Sequence, residues 1–444
     1  MIGGNAMKRS WRAVVFVLVF ALVGAACSGG KDNGNKGDSG GKVQLTMWMG
    51  YTPPPPVNQS YEYLSIQRMV KDFEAQNPNI TIDYQYVNSD NALQKATVAI
   101  QGNQQPDISY QYGTNMAQLA ESPKIVDLTE RVKEAGFDWA DFYPGEQAVA
   151  TVGGRVLGVP ALVDNLAVVY NKDLFAKAGV PEPTADWTWD DFRAAAKATT
   201  DSANKVFGMA FPADGSETTV WEYEAMLWAA GGEILNSDNT KAAFNSPEGV
   251  RALTTLTDIN QDGSTYLDFA PDSGKSEELF NSGKIGMLIT GPWDLSSFPD
   301  VNYGVQIMPS FDAGGSHQTI AGPDNWVIFD NGQARVDAAW KFLTFMTSPD
   351  QLLKDSLDTS HLPTRASVAG MSAFQAFFTK YPGTQVFVDN LQNVLQARPS
   401  ITQYPRISTA LGQAIVTALQ GQASPQDALN QAADQATGFL AIPG

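Results

Sequence analysis

The sequence predicts an α/β fold, because strand-like and helix-like segments alternate along it. Residues 43–49 form the first predicted strand, and apolar side chains from Ile66 to Phe73 then recur at helical spacing. Residues 80–87 alternate apolar and polar side chains, as a half-buried strand does. The alternation restarts after residue 160. This order is typical of a parallel or mixed sheet covered by helices.

The first run continues with a helix whose apolar face is Leu93, Ala96 and Ile100, and with a short strand from Ile108. The second run begins with a strand at 166–170. Its later predicted elements are strands at 285–290 and 303–308, and a helix at 337–346. Helix starts are predicted where Thr188 and Asp191 match a capping box, and where Ser precedes Pro at 246–247, 348–349 and 424–425.

Composition narrows the class of protein. The chain has 444 residues, 43% of them hydrophobic, which is enough for two globular domains. Its formal net charge of −18 argues against nucleic acid as a partner, because phosphates require basic surface. The chain has 2 histidines, His317 and His361, so a histidine metal site or a histidine general base is poorly supplied. We expect no cofactor and no metal.

The N-terminal segment has the pattern of a secretion signal. Lys8, Arg9 and Arg12 precede an apolar run at 13–26, and Cys27 follows at once. A cysteine at this place resembles a bacterial lipoprotein, whose cysteine carries lipid such as palmitate. We therefore predict a signal peptide at 1–26 and a flexible tether at 27–42. Ordinary cleavage after the small residues that precede Cys27 is the alternative.

Four stretches together resemble the extracellular solute-binding proteins of sugar ABC transporters, the family that includes maltose-binding protein. They are GVPALVDNLAVVYNKDLFAKAGV at 158–180, SGKIGMLITGPWDLSSF at 282–298, TMWMGY at 46–51 and AWKFLTFMTSP at 339–349. Each stretch is weak alone, but their order and spacing agree from about residue 43 to the C-terminus.

The resemblance implies a periplasmic-binding-protein type II-like fold, in which two α/β lobes enclose a ligand cleft. Three segments would cross between the lobes, near 161–166, 320–324 and 361–367. The lobes implied in this way are 43–161 plus 324–364 for lobe 1, and 167–320 plus 368–437 for lobe 2.

The resemblance also implies ligand-binding residues. Trp293 stands where the family's GPW tryptophan stacks on sugar, Asp164 lies in the first crossing segment, and Trp221 corresponds to an aromatic residue of the second lobe's cleft wall. Each has a structural alternative, a core tryptophan or a hinge-surface aspartate. Trp228 lies on the same helical face as Trp221 and is expected in the core. The other candidates are Trp48, Tyr51, Gln111, Tyr112, Asp324, Trp326 and Arg398.

The resulting functional expectation is a lipid-anchored, extracytoplasmic monomer without enzymatic activity. It would capture a disaccharide or oligosaccharide between its lobes and deliver it to the permease of an ABC importer. One alternative keeps the fold but binds a polyamine or another small polar solute. The other is a secreted glycoside hydrolase, for which Asp164 and Asp324 would be the carboxylate pair.

Overall fold

A computed structural model describes residues 41–53, 61–271 and 274–442. The predicted signal peptide, the predicted lipidation site Cys27 and most of the predicted tether lie outside the described residues, as does the proline run after Pro53. Among the helices of the described ranges, none combines the length and the apolar composition that a membrane span requires.

Short strands alternate with helices over the described residues, as the sequence predicts. The strands are β1 (Val43–Met49), β2 (Ile80–Tyr86), β3 (Ile108–Gln111), β4 (Thr151–Val152), β5 (Arg155–Val156), β6 (Val159–Leu162), β7 (Ala167–Asn171), β8 (Phe207–Pro212), β9 (Thr265–Asp268), β10 (Ile285–Thr290), β11 (Tyr303–Gln306) and β12 (Asp324–Ile328).

The helices lie between these strands and after the last one. They are α1 (Tyr61–Gln76), α2 (Ser89–Gln101), α3 (Met116–Leu119), α4 (Pro144–Val149), α5 (Lys172–Ala178), α6 (Trp189–Thr199), α7 (Glu217–Ala229), α8 (Pro247–Gln261), α9 (Lys275–Asn281), α10 (Gln333–Met346), α11 (Pro349–Thr359), α12 (Ala366–Ala369), α13 (Gln375–Lys380), α14 (Thr384–Asn390), α15 (Tyr404–Leu419) and α16 (Pro425–Leu440).

The first sheet has the strand order β2-β1-β3-β12-β6. β1 runs parallel to β2 and β3, whereas β12 is antiparallel to β3 and β6. The second sheet has the order β11-β7-β10-β8-β9, in which β8 runs parallel to β9 and β10. β7 is antiparallel to both of its neighbours. Both sheets are therefore mixed, and the sequence-based prediction of an α/β fold is confirmed.

The chain passes between the two sheets more than once. β6 of the first sheet ends at Leu162, and β7 of the second sheet begins at Ala167. The chain returns with β12, and α10 then packs on β1. The last helices, α15 and α16, pack instead with α7 and α8 beside the second sheet. This order has the form expected of two lobes, and the residue boundaries of those lobes stay a prediction.

Local differences from the expected elements have identifiable causes. α10 begins at Gln333, a turn earlier than expected, because Gly332 at φ 100° can turn the chain into the helix. β11 ends at Gln306, whose side-chain oxygen accepts a hydrogen bond from the Ile307 N–H. The capping box at Thr188 is confirmed.

Two of the three expected serine caps make the side-chain hydrogen bond of an N-cap, and the third does not. Ser246 and Ser424 each accept a backbone N–H at the start of a helix, as predicted. Ser348 also occupies the N-cap position directly before Pro349, where α11 begins as predicted, but its hydroxyl donates to the Phe345 carbonyl and makes no cap hydrogen bond.

Candidate ligand-binding site

A cavity of about 850 Å³ lies where strand ends of both sheets come together. Gly50 and Tyr51 follow β1, Tyr112 follows β3, and Asp324 begins β12. Pro212 ends β8, and the segment after β10 also lines the cavity. Ligands of open α/β sheets bind in such a crevice beyond the strand ends. We call Tyr51, Tyr110, Tyr112 and Asp324 the first-sheet wall, and Trp221, Glu222, Glu277, Trp293 and Asp294 the second-sheet wall.

Two stacked tryptophans dominate the second-sheet wall. The ring centroids of Trp221 and Trp293 are 5.6 Å apart and their planes meet at 27°. Trp293 lies in a short 3-10 helix, Pro292–Ser297, directly after β10. Its ring folds back over Gly291, where an added Cβ would come within 1.8 Å of it. The absence of a side chain at Gly291 therefore leaves room for this ring. Trp228, one helical repeat beyond Trp221, is buried in the core, as expected.

Arg398 is fixed beside this aromatic pair. Its Nη1 donates to Glu217 Oε1 over 2.7 Å, and its guanidinium lies 6.0 Å from the Trp221 ring. Glu217 also accepts hydrogen bonds from the hydroxyls of Tyr404 and Ser408. Burial opposes the charge of Arg398, but the neighbouring Glu217 carboxylate raises its pKa. Arg398 is therefore a buried, charged residue of the cavity and not a solvated surface arginine.

Asp164 ties the expected crossing segments together. One carboxylate oxygen accepts the Leu362 N–H over 2.9 Å, and the other is hydrogen-bonded to Nδ1 of His361. The Asp164 carbonyl accepts the Gly322 N–H over 2.9 Å. Although burial works against the charged imidazole, the Asp164 carboxylate raises the pKa of His361 to about 9. Asp164 therefore lines the cavity while both of its oxygens are already bonded within the protein.

The first-sheet wall is built from tyrosines around Asp324. The carboxylate accepts hydrogen bonds from the Tyr110 hydroxyl and from the Gly113 N–H, the latter over 3.0 Å. Burial raises the pKa of Asp324 to about 6. Tyr51 and Tyr112 pack against Tyr110 with ring centroids 5.7 and 6.3 Å away. The wall thus offers ring surface and one carboxylate that is already hydrogen-bonded.

Three expected ligand-binding residues lie outside the cavity lining, and we correct their assignment. Trp48 packs in a separate apolar cluster with Lys95 over its ring, because strand alternation turns it away from Tyr51. Gln111 is fully buried and bonded to Ser109 and Asn115. Trp326 is buried behind the wall tyrosines. The structure brings the other seven candidates together, and they are Tyr51, Tyr112, Asp164, Trp221, Trp293, Asp324 and Arg398.

Sequence reasoning missed most of the acids of the cavity. Two of them could have been found, since Glu222 directly follows Trp221 and Asp294 directly follows Trp293. His361 was predicted only as part of the third crossing segment. The nine carboxylates that the described residues contribute to the lining are Glu62, Asp164, Glu217, Glu222, Asp268, Glu277, Glu278, Asp294 and Asp324.

Positive charge is scarce in the same lining. Within the described ranges it comes from Arg398 and His361, and both are bonded to carboxylates. Those ranges also contain no group of three or more acidic, histidine or cysteine side chains placed to hold a metal ion. The cavity combines aromatic rings with an excess of hydrogen-bond acceptors, which suits a ligand rich in donors and in C–H surface.

Comparison with known proteins decides the family. Residues 58–352 match the family model of bacterial extracellular solute-binding proteins. The chain belongs to this family. Its members and the similar solved structures are binding proteins and not enzymes, which supports an extracytoplasmic binding role.

Individual relatives match this chain over most of its length, and two solved structures also share its fold. An ABC transporter solute-binding protein from Thermotoga lettingae, bound with α-D-tagatose, is 27% identical with a TM-score of 0.79, and 90% of this chain and 100% of that one are covered. A cyclic α-maltosyl-1,6-maltose binding protein from Arthrobacter globiformis is 29% identical with a TM-score of 0.70, and 90% and 99% are covered. An sn-glycerol-3-phosphate-binding periplasmic protein from Escherichia coli O1:K1 is 24% identical, and 84% and 89% are covered.

Proposed function

We propose that this protein captures a carbohydrate in the cavity and delivers it to the permease of an ABC importer. The observation that carries the proposal is the stacked pair of Trp221 and Trp293 on a wall of a cavity rich in acceptors. Pyranose rings present C–H patches that aromatic rings cover and hydroxyls that carboxylates accept. The sugar ligands named for the Thermotoga and Arthrobacter relatives support the same class.

The residues proposed to contact the ligand come from both walls. Trp221 and Trp293 would stack on sugar rings, and Asp324 and Arg398 would bond to hydroxyls. Asp164 would act mainly by joining the crossing segments, because its carboxylate oxygens are bonded within the protein. A volume of about 850 Å³ is large for a monosaccharide among ligand pockets, so we propose a disaccharide or a longer ligand. Tyr51 and Tyr112 would extend the aromatic surface.

Release to a permease requires a second conformation. We propose that the two lobes, 43–161 plus 324–364 and 167–320 plus 368–437, close on the ligand, because a ligand held by both walls favours a closed state. The segments that would bend are those joined at Asp164.

The anchoring proposal rests on the sequence of residues 1–42. We propose that Cys27 carries lipid and that the mature protein is a monomer tethered to the outer face of the cell membrane. Cys27→Ala is expected to release the protein or to leave it unprocessed. Full processing with unchanged membrane retention would contradict the anchor.

The cavity disfavours two other functions, the binding of a phosphate ester and the hydrolysis of a glycoside. A phosphate ester, as named for the Escherichia coli relative, would meet nine lining carboxylates and a guanidinium already paired with Glu217. A hydrolase would need two carboxylates free to act on one bond, whereas Asp164 and Asp324 are hydrogen-bonded within the protein.

The test is a binding screen of the purified full chain. Thermal shift and calorimetry against mono-, di- and oligosaccharides, glycerol phosphates and spermidine should find a saccharide that raises the melting temperature, because a ligand that binds only the folded state stabilises it. Binding of glycerol phosphate without any saccharide would contradict the proposal. So would turnover of aryl glycosides in the same samples.

A further inference from the structure

Glu222 is an unusual group in the second-sheet wall. It lies on α7 and lines the cavity, yet its residue is only 8% exposed. Its Oε2 atom accepts no hydrogen bond from any described group. A buried carboxylate oxygen without a donor costs free energy in the empty protein. Glu217, five residues earlier on the same helix, shows the contrast, because Arg398, Tyr404 and Ser408 all donate to it.

The surroundings of Glu222 add negative charge. Burial raises its pKa, and Glu277 and Asp294 raise it further. The Asp294 carboxylate accepts the Thr290 hydroxyl over 2.6 Å, and burial raises its pKa to about 7, with Glu62 adding to the shift and His361 opposing it. The wall therefore concentrates carboxylates where the described protein supplies little compensating charge.

Aromatic surface lies directly beside these acids. Glu222 follows Trp221 in the chain and Asp294 follows Trp293, and the two indoles are stacked. A cation gains attraction from indole faces as well as from carboxylates. Neutral hydroxyls need acceptors but do not need several carboxylates confined together. An ammonium group fits this site, because it can bind the unpartnered carboxylate while the C–H groups next to it contact the stacked indoles.

We infer that Glu222, with Asp294 and Glu277 beside it, binds a protonated amine of the ligand next to the Trp221–Trp293 pair. This inference rests on the proposed function and names its substrate class, an amine-bearing saccharide. A linear polyamine carries the same chemical group and is distinguished below. The stacked indoles beside the carboxylates favour an organic ammonium group, whose C–H neighbours can contact the rings.

The amine changes the pH dependence of binding in a defined direction. The groups that act on the two central carboxylates are Glu277 of α9, Glu62 of α1 and His361 of the third crossing segment. An ammonium binds the ionised carboxylates, so binding displaces protons from Glu222 and Asp294. Affinity for an amine should therefore rise as pH increases toward about 7 and fall again where the amine loses its proton. This fall should come near neutral pH for an amino sugar and at much higher pH for spermidine.

The experiment compares ligands that differ at one substituent. Glucosamine and deacetylated chitooligosaccharides are titrated calorimetrically into the full chain, beside their N-acetylated forms and the matching glucose and cellooligosaccharides. The amine should bind about tenfold or more tightly than its hydroxyl counterpart, the size expected of a charge-assisted hydrogen bond. Spermidine is the separate arm for a polyamine.

Variants test the assigned carboxylate. Glu222→Gln should abolish the preference for the amine and its pH dependence. It should also raise the melting temperature of the empty protein near neutral pH, because a carboxyl whose pKa is raised by burial no longer has to be buried there. Glu278→Gln is the matched control, since this acid also lines the cavity but pairs with Lys275 over 3.0 Å and is more exposed. It should leave the preference unchanged.

The outcomes separate this inference from the proposed function. Neutral saccharides that bind as tightly as their amines, or an unchanged preference in Glu222→Gln, would overturn the amine site and leave the carbohydrate proposal standing. Binding of spermidine alone would support the amine site and overturn the carbohydrate proposal. No binding by any amine at millimolar concentration, or a lower melting temperature of Glu222→Gln, would overturn the inference.

Discussion

The two walls of the cavity hold their buried carboxylates in opposite ways. On the first-sheet wall, Asp324 accepts hydrogen bonds from the Tyr110 hydroxyl and the Gly113 N–H. On the second-sheet wall, Glu222 leaves one oxygen without a donor, although both residues are similarly buried. The Asp324 carboxylate has donors for both oxygens in the empty protein, whereas we propose that a ligand supplies the missing donor to Glu222.

This difference shows where binding free energy can come from. A group that is already satisfied gains little when a ligand arrives, because it exchanges one hydrogen bond for another. An unsatisfied buried carboxylate regains the free energy lost on desolvation. The second-sheet wall should therefore decide affinity, and the first-sheet wall should mainly decide stability.

The largest expected effect is on the free energy of unfolding, and it comes from the buried ion pair of Arg398 and Glu217. Arg398→Met removes the buried partner of Glu217 and should lower the free energy of unfolding by about 3–5 kcal/mol, since an uncompensated buried carboxylate remains. Chemical denaturation of the empty protein measures this. Arg251→Met, which breaks the exposed pair with Asp312, is the control and should cost about 1 kcal/mol or less. Equal losses of stability in the two variants would show that burial does not make the Arg398–Glu217 pair more important than an exposed pair.

The second prediction concerns the pH dependence of stability. Burial raises the pKa of Asp324 from its ordinary value of 3.8 to about 6. Between these two pH values the folded protein therefore holds a proton that the unfolded chain has released. This contribution to stability is fully present below pH 3.8 and is lost as pH rises through about 6. Asp324→Asn should remove that decline and gain about 2–3 kcal/mol at neutral pH relative to the wild type.

Denaturation curves across this pH range provide the test. In Asp324→Asn the introduced amide oxygen can still accept the Gly113 N–H, and the amide NH₂ can donate to the Tyr110 oxygen. Asp312→Asn is the control, because that carboxylate is exposed and its pKa is lowered by Arg251. It should not alter the decline between pH 3.8 and 6. A curve for Asp324→Asn that runs parallel to the wild type would show that another group causes the decline.

Much of the fold could be predicted because its elements carry strong local patterns. The strands predicted at 43–49 and 285–290 have the bounds of β1 and β10, since each is a short apolar segment followed by glycine and turn residues. The start of α10 could not be predicted, because it depends on the backbone conformation of Gly332. The helix start at Ser348 is confirmed, but the sequence does not show that its hydroxyl bonds to the preceding turn instead of capping the helix.

The candidate site was predictable for rings and less so for charges. Trp293 and Trp221 come from turn and helix patterns that the sequence displays. Which carboxylates are satisfied depends on distant partners, such as Gly113 for Asp324 or Leu362 for Asp164. Strand alternation indicates that Trp48 and Tyr51 point to different faces, but the sequence alone could not show which of the two faces the cavity.

The third prediction tests the aromatic part of the second-sheet wall. Trp293→Ala should weaken ligand affinity about tenfold or more, because aromatic contact contributes roughly 1–3 kcal/mol and 1.4 kcal/mol is one decade. The melting temperature of the empty protein should change little. Calorimetry with the identified ligand measures the loss.

Trp48→Phe is the control for this variant, because Trp48 is a buried tryptophan outside the cavity lining. It should affect stability and leave affinity unchanged. Unchanged affinity of Trp293→Ala, or a collapse of its stability, would instead assign Trp293 to the core.

The smallest expected effect concerns the first-sheet wall. Tyr110→Phe removes the hydroxyl that donates to Asp324, and Asp324 then keeps the hydrogen bond from the Gly113 N–H. The free energy of unfolding should fall by about 1 kcal/mol at neutral pH, with little change in ligand affinity. The loss should shrink in the Asp324→Asn background, because a charged acceptor is no longer left with one donor fewer. Tyr84→Phe, whose hydroxyl is bonded to an exposed glutamine, should change stability less. If Tyr110→Phe costs the same stability in the wild type and in Asp324→Asn, Tyr110 contributes through packing alone. A large loss of ligand affinity would show that the first-sheet wall also contributes to binding.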